Sequence, residues 1–212
     1  PMYHLPDPVM RQLKTELQGV LASNPKGSLT LADTLWKDEN FEVRQLSIYL
    51  LGHATVRDPE GILSRLDQWL TPGLEPALKE ALLGTGTNRL QSRFPMQWAA
   101  WIESLLAQKD SRWNAIGLMG LRSSIKSSPL QKLPAIFRLV SPMIRDPQPG
   151  LLNELKRLIQ VLAEKSPTET AYFLRQTFSV SEGIGTGRLI RQCLPMFPRE
   201  LQNELQTVLQ AK

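Results

Sequence analysis

The stretch from Asp38 to Gly52, D-E-N-F-E-V-R-Q-L-S-I-Y-L-L-G, constrains the fold more than any other part of the chain. It opens as a turn in which Asp38 can accept backbone N–H bonds and Asn40 serves as an N-cap. It continues as a helix with Val43, Leu46, Leu50 and Ala54 on one face. Ser47 is small where a neighbouring helix must pass closely. Arg44 lies in the first turn, where a cation gains nothing from the helix dipole, so it is expected to bridge carboxylates or contact a partner. The whole reads as a turn and the second helix of a hairpin, a unit that buries its apolar face only by stacking on others like it.

The pattern recurs. In W-N-A-I-G-L-M-G-L (113–121), Trp113 stands for Val43, Gly117 for Ser47 and Leu121 for Leu51. Asp110 and Asp146 are 36 residues apart, close to the period of paired-helix repeats. Between such marks, Pro and Gly punctuate a series of short amphipathic segments, and no segment alternates with period 2. Helices are expected over 8–21, 28–37, 40–54, 59–71, 74–83, 95–108, 111–126, 130–145, 151–164, 166–178, 188–196 and 198–209. Pro134 and Pro142 limit or kink the helix that holds them. Residues 85–92 read as a polar connection, and Gly183 to Gly187 as a flexible turn. The expectation is an all-α, right-handed α-solenoid of about eleven or twelve helices, forming one domain over 1–212.

Composition narrows the function classes. Of the 212 residues, 42% are hydrophobic and 21% charged, as in ordinary globular chains. The single cysteine, Cys193, rules out an internal disulfide or a cysteine metal cluster and fits a cytoplasmic setting. No apolar run approaches the roughly 20 residues of a membrane span, so no membrane partner is expected. The chain opens P-M-Y-H-L-P-D-P without an initiator Met or a visible signal peptide, as a tag remnant or a trimmed start would. His4 and His53 are isolated, and neither metal nor cofactor is expected. The net charge of +5 is concentrated: residues 111–165 hold 9 basic and 3 acidic side chains. A localised basic face suits a polyanion.

The spacing D-x4-V-R-x2-(small)-x3-L-G resembles the HEAT (armadillo-type) repeat consensus. Three longer segments are similar to the DNA alkylation-repair glycosylases of the AlkD type, which are built from HEAT-like repeats: L-A-D-T-L-W-K-D-E-N-F-E-V-R-Q-L-S-I-Y-L-L (31–51), W-I-E-S-L-L-A-Q-K-D-S-R-W-N-A-I (101–116) and L-K-R-L-I-Q-V-L-A-E-K-S-P-T-E-T-A-Y-F-L-R-Q (155–176). The resemblance implies a concave basic surface, lined by the second helix of each hairpin, that grips duplex DNA. It also implies a catalytic aspartate following a tryptophan. This chain departs there: in D-Q-W-L-T-P-G (67–73) Asp67 precedes Trp69 and none follows. Arg157 stands near where the family carries another aromatic residue.

On this reading Arg44, Arg112, Arg122, Lys126, Lys156, Arg157, Arg188 and Arg191 are the candidate phosphate contacts, and Trp69 is the candidate base-contacting aromatic. The competing reading of the basic residues is inter-repeat ion pairs and solvated surface; that of Trp36, Trp69, Trp98, Trp101 and Trp113 is core packing. The glycine turn before Arg188 reads either as a phosphate seat at a helix N-terminus or as a plain turn. Cys193 reads as a buried structural thiol. Three functions stay open: a non-catalytic duplex-DNA-binding module, a protein-interaction scaffold without a DNA role, and an active alkylbase DNA glycosylase.

Overall fold

The computed structural model describes residues 2–54, 58–127, 133–181 and 184–210, without the side chains at positions 20, 23, 25, 26, 126 and 127. It is all-helical, with no strand among the described residues. The chain divides into two compact units, Pro1–Trp101 and Ile102–Lys212, with the division inside one helix.

The first unit contains α1 (Asp7–Ser23), α2 (Pro25–Trp36), α3 (Phe41–His53), α4 (Glu60–Trp69), α5 (Pro76–Leu83), a 3-10 turn (Thr85–Thr87), α6 (Asn88–Arg93) and the start of α7 (Pro95–Leu106). Helix α3 is its axis, with α1, α2, α5, α6 and the 3-10 turn packed around it. This enclosure explains why the buried run Ser47, Ile48, Tyr49, Leu50 and Leu51 goes around the helix. The expected stripe is only part of the core: Leu50 and Ala54 are fully buried, whereas Val43 and Leu46 are half-buried. Ser47 lies where α2 crosses, and its Oγ donates to the Ala32 carbonyl at 2.7 Å. Gly52 is closer still to its neighbour: a Cβ there would stand 2.0 Å from the Thr85 carbonyl oxygen.

Residues 85–92 are a correction: they form the 3-10 turn and most of α6 rather than a polar connection. Thr87 and Leu90 are buried. Thr87 Oγ1 donates to the Leu83 carbonyl at 2.7 Å, and Gln91 Nε2 donates to the same carbonyl at 3.0 Å. The polar side chains here serve the open end of α5, which is why composition alone hides the helix.

Glu42 anchors the segment before α1. Its carboxylate, buried at 7% exposure, accepts the backbone N–H of Tyr3 at 3.1 Å and of His4 at 2.7 Å. His4 holds φ at 54°, a left-handed conformation costly for a side-chain-bearing residue. Burial pushes the Glu42 carboxyl up, but the backbone N–H groups of Glu42, Tyr3, His4 and Leu5 outweigh it and hold it below its usual 4.5. A carboxylate lowered on folding contributes stability above its unfolded value and loses it as the pH falls through the folded one. The anchor is therefore complete at neutral pH and released in acid. Glu42→Gln should speed amide exchange at Tyr3 and His4 by about tenfold or more at neutral pH; unchanged exchange would remove the anchoring role.

The second unit holds the end of α7, then α8 (Ser111–Ser127), α9 (Leu133–Arg145), a 3-10 turn (Pro149–Leu151), α10 (Leu152–Lys165), α11 (Pro167–Ser179), α12 (Ile184–Cys193), a 3-10 turn (Leu194–Met196) and α13 (Arg199–Gln210). Alternate helices pack side by side: α8 on α10 and α10 on α12 in one row, α9 on α11 and α11 on α13 in the other. Leu155, Leu158, Ile159 and Leu162, all at 0% exposure, form the middle of the core from α10.

The glycine segment before Arg188 is a second correction. Gly183 lies outside the described residues, and Ile184 to Gly187 are the first turn of α12 rather than a flexible turn. Thr186 is buried and donates through Oγ1 to the Arg145 carbonyl at 2.8 Å, closing the end of α9. A Cβ at Gly187 would come 3.2 Å from the Phe178 ring, so this glycine serves close packing.

The hairpins α2–α3 and α7–α8 follow one local rule. Arg44 Nε donates to the Asp38 carbonyl at 2.7 Å, and seventy positions later Asn114 Nδ2 donates to the Gln108 carbonyl at 2.9 Å; each spans six residues. Asn114 also donates to Leu105 and Leu106 at 3.0 Å, closing the end of α7. Three positions on, Ser47 and Gly117 are the small residues at the crossing; a Cβ on Gly117 would meet the Leu106 side chain at 2.8 Å.

Candidate nucleic-acid interface

Several of the candidate cations have structural work. Arg44, in the first unit, closes the turn through the Asp38 carbonyl and lies over the Trp36 ring at 5.2 Å. Arg112 makes a two-pronged pair with Asp110 on the surface at the start of α8, with Nη2 to Oδ2 at 2.7 Å. Arg122 is buried at 9% exposure and reaches Glu154 Oε2 at 3.3 Å; Arg157 takes the other oxygen of the same carboxylate at 3.2 Å. One glutamate on α10 thus joins a buried arginine on α8 to an exposed one on its own helix. The side chain of Lys126 lies outside the described residues.

Trp69 is packed rather than presented. It is 5% exposed and stacks on Trp36 with ring centroids 4.6 Å apart and planes 9° from parallel. Trp98 and Trp101 are buried and stack on one another at 5.2 Å. Asp67, the carboxylate before Trp69, accepts the Trp101 indole N–H at 2.7 Å. The packing reading of these aromatics is the one their geometry supports.

The remaining cations gather on one row of the second unit. An open groove of about 620 Å³ runs beside α10 and α12, lined by Asn153, Lys156, Arg157, Gln160, Gln192 and Met196. Its α10 wall is a polar stripe at i, i+3, i+4 and i+7. No carboxylate lines it. Lys156 forms no ion pair among the described residues, and Arg157 keeps half of its side chain in solvent. Arg188 and Arg191 are exposed on α12, and Arg188 is one turn before Gln192. The amides Asn153, Gln160 and Gln192 are absent from the charge-based reading; the stripe along α10 was the signal that could have found Asn153 and Gln160. The second unit holds 15 basic and 9 acidic residues, a net of +6, so the excess charge of the chain belongs to it.

What such a groove offers is cationic and amide donors for anionic oxygens, with apolar stems beneath them. Its lining holds no thiol, hydroxyl or carboxylate. Cys193, behind it, is fully buried, and burial pushes its thiol up to about 12 against the opposing pull of the Lys156 cation. Among the described residues no group of three histidine, cysteine or carboxylate side chains could hold a metal ion, and no helix is long and apolar enough to cross a membrane. In comparisons with known proteins, the chain matches no family model, no curated protein and no solved structure.

Proposed function

We propose that the chain is a HEAT-like helical-repeat protein, a right-handed α-solenoid, that binds duplex nucleic acid without catalysing a reaction on it. Two features support the repeat reading: the shared rule of the α2–α3 and α7–α8 hairpins, and the two rows of alternate helices in the second unit. The binding reading is carried by one observation, the carboxylate-free groove of α10 and α12 with Lys156, Arg157, Arg188 and Arg191 on its helices. Phosphates would seat on these cations, with Asn153, Gln160 and Gln192 donating to backbone oxygens. The AlkD-like resemblance makes duplex DNA the first ligand to try. The sequence break at Trp69 and the engagement of Asp67 by Trp101 support a non-catalytic role.

Four phosphate contacts predict that duplex affinity falls roughly 100-fold between 50 and 200 mM salt. Anisotropy of a labelled duplex should show this slope. Lys156→Glu combined with Arg188→Glu should weaken binding at low salt by about tenfold or more and flatten the slope. Both positions are off the fully buried core, so the thermal midpoint should hold. A duplex that ignores the charge reversal, or does not bind at 50 mM salt, would overturn the assignment.

A further inference from the structure

A second groove of the second unit, about 480 Å³, lies between α9 and α11 and differs in kind. Phe137 and Phe173 stack across it with centroids 4.4 Å apart and planes 11° from parallel. Pro142 and Val180 extend the apolar surface, and Val180 is 59% exposed. Arg138 and Arg145 complete the lining on α9, and no carboxylate lines the groove. Arg65, Arg112, Arg122, Arg157 and Arg175, by contrast, are each ion-paired. Arg138 and Arg145 form no ion pair among the described residues.

The spacing of the arginines restricts the occupant. They are seven residues apart on one helix, two turns or about 10 Å. Two carboxylates seven residues apart on a second helix span the same distance, with the turn between them free to place an apolar side chain on Phe137 and Phe173. Pro142 has no N–H, so the Arg138 carbonyl lacks its usual helical donor, adding an acceptor beside the apolar seat. A nucleic acid suits this groove less well. The two rings already turn a face to one another, and two cations make a short track for phosphates beside the α10–α12 groove.

We propose that the α9–α11 groove docks an acidic amphipathic helix of a protein partner, with carboxylates on Arg138 and Arg145 flanking an apolar anchor on the phenylalanine pair. It shares no residue with the α10–α12 groove, so either assignment stands or falls alone. The test selects helical peptides of roughly fifteen residues from a randomised display library, using the full chain as bait and Arg138→Glu/Arg145→Glu for counter-selection. The enriched consensus should carry acids seven apart around a Leu, Phe or Trp. Its synthetic form should bind the unaltered chain about tenfold or more tighter than the double variant or Val180→Glu, all three proteins melting alike. No enrichment, enrichment without the acidic pattern, or equal binding to the variants would overturn the proposal. Single-stranded DNA binding that vanishes in the double variant, with no peptide enriched, would reassign the groove to nucleic acid.

Discussion

Gly52→Ala is expected to destabilise the first unit by about 3 kcal/mol, at the upper end for a single added methyl. Gly52 lies on α3, the axis of that unit, and a Cβ would stand 2.0 Å from the Thr85 carbonyl oxygen and 2.9 Å from its carbon. The obstacle is backbone, not a side-chain tip that can rotate away. Relief requires moving the 3-10 turn, which packs on α3 and leads into α6. The gain of about 1 kcal/mol from alanine over glycine in a helix is too small to offset this. Gly117→Ala is the control. Its nearest contact would be the Leu106 side chain at 2.8 Å, which has rotamers to yield, so strain and propensity should nearly cancel. Four of the five tryptophans belong to the first unit, so urea unfolding followed by tryptophan fluorescence separates the two outcomes. Equal midpoints would show that the Gly52 contact is not a constraint.

Glu154→Gln is expected to cost about 2–3 kcal/mol while leaving duplex affinity equal or higher. The carboxylate serves Arg122 and Arg157 together, and Arg122 is buried. Removing its charge leaves a guanidinium held away from water with less compensation, which is costlier than losing a surface pair. Arg157→Ala, on the exposed side of the same carboxylate, should cost less than about 1 kcal/mol. Arg122→Met with Glu154→Leu should recover most of the loss, because a packed apolar pair removes both desolvation penalties. Thermal unfolding measures all three. A drop in duplex binding on Arg122→Met/Glu154→Leu, with stability intact, would return Arg122 to the phosphate-binding set.

These outcomes divide the seven candidate cations with described side chains by what holds them. Arg44, Arg112 and Arg122 answer to a carbonyl or carboxylate of their own fold. Lys156, Arg188 and Arg191 face solvent in whole or part without an ion pair among the described residues. Arg157 stands between, paired yet on the groove wall.

Much of the architecture was legible in the residues. Proline at the first turn of α11, and apolar side chains every third or fourth position, mark helices because both signals are local. Ser47 and Gly117 marked close crossings because only small residues fit there, and the crossings are where they were expected. Local signals failed where a helix is made to order by its neighbours. Gln91 of α6 and Thr87 just before it are polar because they bond to the end of α5, and α12 begins through glycines because Phe178 and Pro147 leave little room for a Cβ.

The sequence by itself determined an all-helical chain, small residues at two close crossings and a basic second half. Only the tertiary structure decided which charges are spent. Periodicity is written within a few residues, but an ion pair acts over a few ångströms between residues that are distant in the chain, as Arg122 and Glu154 are at thirty-two positions apart. The same holds for the tryptophans. Their spacing says which face of a helix they share, whereas whether Trp69 meets solvent depends on Trp36, which α2 brings against it.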